Sequence, residues 1–266
     1  MTELKIEEIT LPENPAIEPL LKIFQTTFEA LSHDEDYQEG MLMAVPGVGE
    51  MYGVRVPQLR AFAKHLLKTY KGQHQALEDL ARRSWEVGTR EHRLVALYLL
   101  EKVKMPPEER WALGRAFLPA VDNWETCDVM CMSLQGIAVC QEPGYMDEIE
   151  GWIKDDNFWV RRAALVTSTR LRNGKFDKRL KDDLDQRTLA MCQALLYDDE
   201  KYIRKAVDWG VREVLRRNYE MARDWMMARA GEGLVQPAMS TLKLAAKKLE
   251  EGDREAFMDR VELGAQ

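Results

Sequence analysis

From about residue 17 the apolar positions of this chain recur at helical spacing, and no stretch of useful length alternates with the period of a β-strand. The first eleven residues read as an irregular arm, and Pro12, Pro15 and Pro19 delay the first helix. Ile17 to Leu31 then sets Leu20, Phe24, Thr27, Phe28 and Leu31 on one face. His33 to Glu39 reads as an acidic turn region and Ala44 to Glu50 as a loop punctuated by glycine and proline. Pro57 suits the first turn of a helix, where its missing N–H costs nothing. That helix runs to about Tyr70, with Leu59, Phe62, Ala63, Leu66 and Leu67 inward, and Gly72 ends it.

The same pattern predicts paired helices beyond this point. They cover Ala76 to Ser84, Arg90 to Val103, Glu108 to Leu118, a single helix through the Val121 to Val139 region, Tyr145 to Lys154 and Phe158 to Leu171. Lys181 to Leu196, Lys201 to Asn218, Met221 to Gly231 and Pro237 to Glu250 complete the set. Pro106-Pro107, Pro119, Pro143-Gly144 and Asn173-Gly174 separate them, and Asp155-Asp156-Asn157 caps the helix that follows. Asp156-Asn-Phe-Trp-Val-Arg-Arg-Ala163 lines up with Asp199-Glu-Lys-Tyr-Ile-Arg-Lys-Ala206 at an offset of 43 residues. A period near that length, built from helix pairs, is the mark of a HEAT-like stack whose units bury their faces against their neighbours. The expectation is an all-α, curved HEAT-like α-solenoid over residues 17–251, with an arm at 1–16, a tail at 252–266 and a concave binding face.

Three helices carry candidate chemistry. In the Val121 region, Trp124 and Asp128 lie four residues apart and share a face with Gln135, while Cys127, Cys131, Leu134 and Ala138 form an adjoining apolar row. The spacing also suits a half-buried core tryptophan beside an ordinary helix charge. In Lys201 to Asn218 the apolar row is Ile203, Val207, Val211 and Val214, and Trp209 falls instead among Lys205, Arg212 and Arg216. An indole among cations suits a polyanion whose sugars or bases touch the ring, or else a ring covered by the aliphatic stems of those bases. In Phe158 to Leu171 the inward row is Val160, Ala164, Thr167 and Leu171, so Arg162 is expected nearly opposite, free to reach a phosphate. Three successive hairpins thus offer a tryptophan near charge: Trp124 with Asp128, Trp159 with Arg162, and Trp209 with Lys205.

Composition changes this picture at one point. The 266 residues are 45% apolar, enough for a substantial core. A net charge of −7 looks wrong for a nucleic-acid binder. Residues 1–50, however, hold eleven acidic side chains against Lys5 and Lys22, a local charge of −9, which leaves +2 for the other 216 residues. Trp159 to Lys181 alone has eight basic residues and one acidic one. The four cysteines sit in apolar helical pattern with no C-x-x-C pair and no histidine at ligand spacing, so buried thiols are expected, with no metal and no cofactor. No window approaches the roughly 20 apolar residues of a membrane span, and the N-terminus lacks a leader pattern. A soluble, cytoplasmic protein without a membrane partner follows.

Gly53-Val-Arg-Val-Pro-Gln-Leu-Arg60, the run from Trp85 to Glu101, Asn123-Trp-Glu-Thr-Cys-Asp128, Asn157-Phe-Trp-Val-Arg-Arg-Ala-Ala164 and Ile203 to Glu213 together resemble the AlkD-type DNA alkylation repair glycosylases. The resemblance covers about Ile17 to Lys248. It implies a HEAT-like protein acting on double-stranded DNA that contains alkylated purines, with Trp124 and Trp209 as pocket tryptophans, Asp128 as the catalytic carboxylate and Arg162 as a phosphate contact; a monomer is expected. Arg161, Trp159, Lys205 and Arg212 are the further DNA-binding candidates. It also implies attack on the sugar bond without a closed base-flipping pocket. Asn123 stands where many members carry a second aromatic, and Glu125 where many carry aspartate. A HEAT-like scaffold that binds a DNA structure or a protein without turnover is the alternative from another class.

Overall fold

The computed structural model describes residues 4–32 and 35–264, and its described residues form helices, turns and short 3-10 segments with no strand among them. The helices are α1 (Ile17–Leu31), α2 (Glu35–Ala44), α3 (Val56–Thr69), α4 (His74–Val87), α5 (Arg90–Lys102), α6 (Pro107–Phe117), α7 (Trp124–Ser133), α8 (Gln135–Gln141) and α9 (Met146–Trp152). They continue as α10 (Phe158–Thr169), α11 (Lys178–Ala194), α12 (Lys201–Arg217), α13 (Tyr219–Gly231), α14 (Ala238–Ala245) and α15 (Glu251–Gly264). Contacts divide the chain into two compact units, Met1–Gln135 and Gly136–Gln266. Each is built of packed helix pairs, as the stacked all-α architecture requires.

In the first unit α5 packs against α3, α4 and α7. Its Leu94 to Leu100 are buried on every side, which is the pattern of a helix enclosed by neighbours rather than laid on a surface. Phe24 and Phe28 of α1 meet Phe62 of α3 at 5.0 and 5.8 Å between ring centroids, and Phe28 meets His92 of α5 edge-on at 5.1 Å. Fully burying each such ring contributes about 1.5–3 kcal/mol. Trp85, expected just beyond a helix end, lies inside α4 and stacks flat on Phe117 at 4.2 Å. The arm is tied down: Tyr70 donates its hydroxyl to Pro12 O at 2.8 Å, and the His65 ring bonds Ile9 O at 3.0 Å. Residues 35–39 of the expected acidic turn belong to α2, while His33 and Asp34 lie outside the described residues.

In the second unit α12 is the central element, packed against α10, α11, α13 and α14. Gly210 sits where α12 meets α11, and a side chain there would come within 2.9 Å of Cys192 Sγ. The tail past residue 252 is helical: α15 buries Phe257 and Val261 and packs against α13. The 43-residue repeat has a structural meaning. Arg161 Nη1 donates to the carbonyls of Asp155 and Asp156, and Arg204 Nη1 donates to those of Asp198 and Asp199. In both repeats the first base of the motif ties off the turn ahead of its own helix.

The expected single helix through Val139 is broken. Leu134 leaves helical geometry at φ −117°, ψ −83°, and separates α7 from α8. Gln135 therefore does not continue the row of Trp124 and Asp128. It is fully buried, with its amide packed where a side chain at Gly114 of α6 would stand. No helix of the described residues is long and apolar enough to cross a membrane.

Candidate nucleic-acid interface

In the first unit the candidate residues stand at the N-terminus of α7. Asn123 is buried and caps the helix, its Oδ1 accepting from Thr126 N at 2.9 Å. Trp124 and Asp128 follow one turn apart, both half-buried. The Trp124 indole donates to Ala44 O at 2.8 Å, which joins the ring to the end of α2. The loop after α2 is pressed close, since at Gly47, with φ +87°, a Cβ would lie 2.3 Å from Asp122 O. Only glycine fits that approach and that backbone. Leu42 and Met43, beside Ala44, are exposed apolar side chains.

A buried ion cluster anchors this corner. Arg90, at the start of α5, forms a fork on Glu125 with Nε to Oε2 at 2.6 Å and Nη2 to Oε1 at 2.9 Å. Its Nη1 reaches Val54 O at 2.9 Å and Glu91 Oε1 at 3.2 Å. Glu91 in turn accepts the backbone N–H groups of Tyr52, Gly53 and Val54 at 2.9 to 3.1 Å. Burial works against the Arg90 charge, but the hydrogen bonds and field of Glu125 and Glu91 outweigh it and raise the guanidinium pKa. Glu125 is therefore the α7 end of the cluster that fixes both the 52–54 segment and α7.

In the second unit the placement differs from expectation for two residues. Arg162 does not project into solvent: it is 5% exposed and its Nη1 donates to Tyr202 O. Trp159 is also buried, its ring 4.5 Å from Phe158 and 5.1 Å from Tyr202. An amphipathic helix has one inward face, whereas α10 is packed by α9, α11 and α12 and has almost no solvent side. Arg161 is only partly exposed and pairs with Asp198 Oδ2 at 3.0 Å in addition to its turn bonds.

On α12, Lys205 is exposed, with its ammonium 5.7 Å from the Tyr202 ring centre. Arg212 pairs with Asp208 at 2.7 Å, and burial pushes the Asp208 carboxyl above its ordinary range against the pull of Arg212. Trp209 is half-buried and lies off the packed row, as its polar neighbours predict. Its indole donates to Glu213 Oε1 at 3.2 Å. Sequence reasoning missed Glu213, a buried carboxylate that also binds Arg172 and Arg216. The signal was its i+4 spacing from Trp209, hidden by attention to the cations of that row.

The four cysteines are thiols, three of them buried, and burial pushes Cys192 up to about 12. Among the described residues no group of three or more histidine, cysteine, aspartate or glutamate side chains is arranged to hold a metal ion.

A family model described as DNA alkylation repair enzyme matches residues 24–249 of the chain. Among solved structures, a predicted DNA alkylation repair enzyme from Enterococcus faecalis superposes with a TM-score of 0.60 at 21% identity, over 83% of this chain and 98% of its own. AlkD2 from Streptococcus mutans does so with a TM-score of 0.57 at 17% identity, over 88% of this chain and 100% of its own. At those identities the likeness speaks for the fold. No curated protein matches the chain.

Proposed function

Because the chain belongs to the DNA alkylation repair enzyme family, which is matched over most of its length, we propose that it is a metal-free DNA glycosylase. Its reaction is hydrolysis of the N-glycosidic bond of cationic N3- or N7-alkylpurines in duplex DNA. The observation that carries this reading is the start of α7, where Trp124 and Asp128 stand one turn apart and half-buried on a helix end pinned by buried ion pairs.

An alkylated purine carries positive charge and is already a good leaving group, so a strong general acid is not required. Charge instead develops on the deoxyribose as the bond breaks, as in other glycoside hydrolyses. An ionised Asp128 supplies opposite charge there and orients the attacking water. In the first unit the indole face of Trp124 holds the polarised sugar; in the second, Trp209 meets a deoxyribose of the duplex, and Lys205 and Arg212 meet backbone phosphates. Arg162, Arg161 and Trp159 support the hairpin that carries α12 and are given no contact with DNA.

The test is incubation of methylated duplex DNA with wild type and with Asp128→Asn, followed by measurement of free 3-methyladenine and 7-methylguanine. Wild type releases base, and Asp128→Asn is slower by about 10²–10³, the range for removing one transition-state charge partner. Binding without any release by wild type would leave a HEAT-like DNA-binding scaffold and remove the enzyme reading.

A further inference from the structure

Glu213 of α12 is the centre of a cluster that the proposed chemistry leaves unexplained. It is 1% exposed, and its Oε1 accepts from Trp209 Nε1 at 3.2 Å, Arg172 Nη1 at 3.0 Å and Arg216 Nη1 at 2.7 Å. Its Oε2 is buried with no hydrogen-bond partner. Arg172 comes from the 3-10 turn Arg170–Asn173 that follows α10, and Arg216 from the last turn of α12. One guanidinium group is enough to neutralise one carboxylate, so the cluster keeps a surplus positive charge. Both arginine side chains also stay open to solvent, at 39% and 54%. Arg172 also lines a cavity of about 150 Å³ with Lys181, Phe176 and the Asp185–Arg217 ion pair.

A buried carboxylate that grips two half-exposed guanidinium groups holds them in fixed positions before any ligand arrives. A planar guanidinium held in this way keeps further N–H donors for a tetrahedral oxyanion. The same carboxylate sets the angle of an indole on the same helix. We propose that Arg172 and Arg216 form a phosphodiester-binding clamp beside Trp209, with Glu213 as the positioning residue for both guanidinium groups and the ring. The clamp rests on the duplex-DNA reading above and adds a phosphate subsite next to the sugar that Trp209 contacts.

The experiment is equilibrium binding of the full chain to a fluorescently labelled duplex oligonucleotide across a salt series. The variants are Arg172→Gln, Arg216→Gln, the double variant, Glu213→Gln and, as a control for loss of a remote charge, Arg254→Gln. Each phosphate contact contributes about 0.9 to the slope of log affinity against log salt. The double variant is expected to bind at least about tenfold more weakly at low salt and to lose between about one and two units of slope. Arg254→Gln changes neither. Glu213→Gln removes a negative charge, so simple electrostatics would tighten DNA binding, whereas loss of positioning weakens it.

An unchanged slope in the double variant, or tighter binding by Glu213→Gln, overturns the clamp. Far-UV circular dichroism and thermal midpoints monitor folding. Should the double variant not fold, Arg172→Lys and Arg216→Lys keep an ion pair to Glu213 and decide the matter, since the clamp requires them to weaken binding and an ion-pair network serving the fold alone does not. Base release is read separately: Glu213→Gln slows it in the wild-type background and has a smaller effect on Trp209→Phe, where the bond to the ring is already gone and only the two guanidinium groups remain to be misplaced. Wild type that binds with the expected slope but releases no base removes the glycosylase reading and leaves the clamp standing.

Discussion

Trp209 is held at its rim by one hydrogen bond and sits off the packed row of α12, so its ring can be removed without opening the core. Trp209→Ala is expected to lose base release while the thermal midpoint moves little; wholesale unfolding would mean that the ring is a core residue. His92 is the opposite case. It is almost fully buried against Phe24 and Phe28, and burial lowers its pKa from 6.5 to about 4. The folded state holds this ring neutral while the unfolded chain protonates it, so its cost is absent at neutral pH. Stability falls as pH drops through the unfolded value near 6.5 and goes on falling to about 4, by a total on the order of 3 kcal/mol. Urea unfolding at pH 7 and pH 4.5 measures this, and His92→Gln should flatten that part of the profile.

At the scale of elements, the corner of α5, α7 and the 52–54 segment depends on charges that have no access to water. Glu125→Ala would leave Arg90 buried with its fork unpaired, and a loss of about 3–5 kcal/mol is expected from denaturant unfolding. Glu125→Asp should cost less by retaining part of the pairing. This corner also marks the limit of what the sequence conveys. The helical period located most helices, because proline, glycine and Asx punctuation coincide with real ends, as at Pro57, Gly72 and Asn157, but α2 and α15 lie where it indicates a turn region and a tail. It did not reveal the break at Leu134, where Gly136, two residues on, is a weak signal inside an otherwise continuous helical pattern. Nor could it orient α10, since a helix packed on three sides has no single inward face, and Arg162 was therefore expected on the wrong side. Trp209 could be placed because α12 does keep a polar edge. Glu213 was readable as a charge but not as a buried one.

For the whole molecule, the uneven distribution of charge governs how DNA is met at a distance. A net charge of −7 opposes the approach of a duplex out to about a Debye length, which is longest at low salt, and attraction depends on local cations. Glu7 and Glu13 are exposed on an arm tied to α3. Replacing both with glutamine is expected to speed association with duplex DNA at low salt and to have no effect near 1 M salt, where screening reaches about 3 Å; stopped-flow fluorescence measures it. Net charge alone argues against a nucleic-acid partner, but it averages the acidic first fifty residues with a nearly neutral remainder.

The bond from Trp124 to Ala44 runs to a main-chain carbonyl. Any residue at position 44 can offer that acceptor, and Leu42 and Met43 next to it stand in solvent without a role in the fold that their neighbours enforce. The segment beside the indole can therefore diversify in sequence while the ring keeps its anchor, and under the function proposed above drift at these positions changes what the rim meets before any change reaches α7.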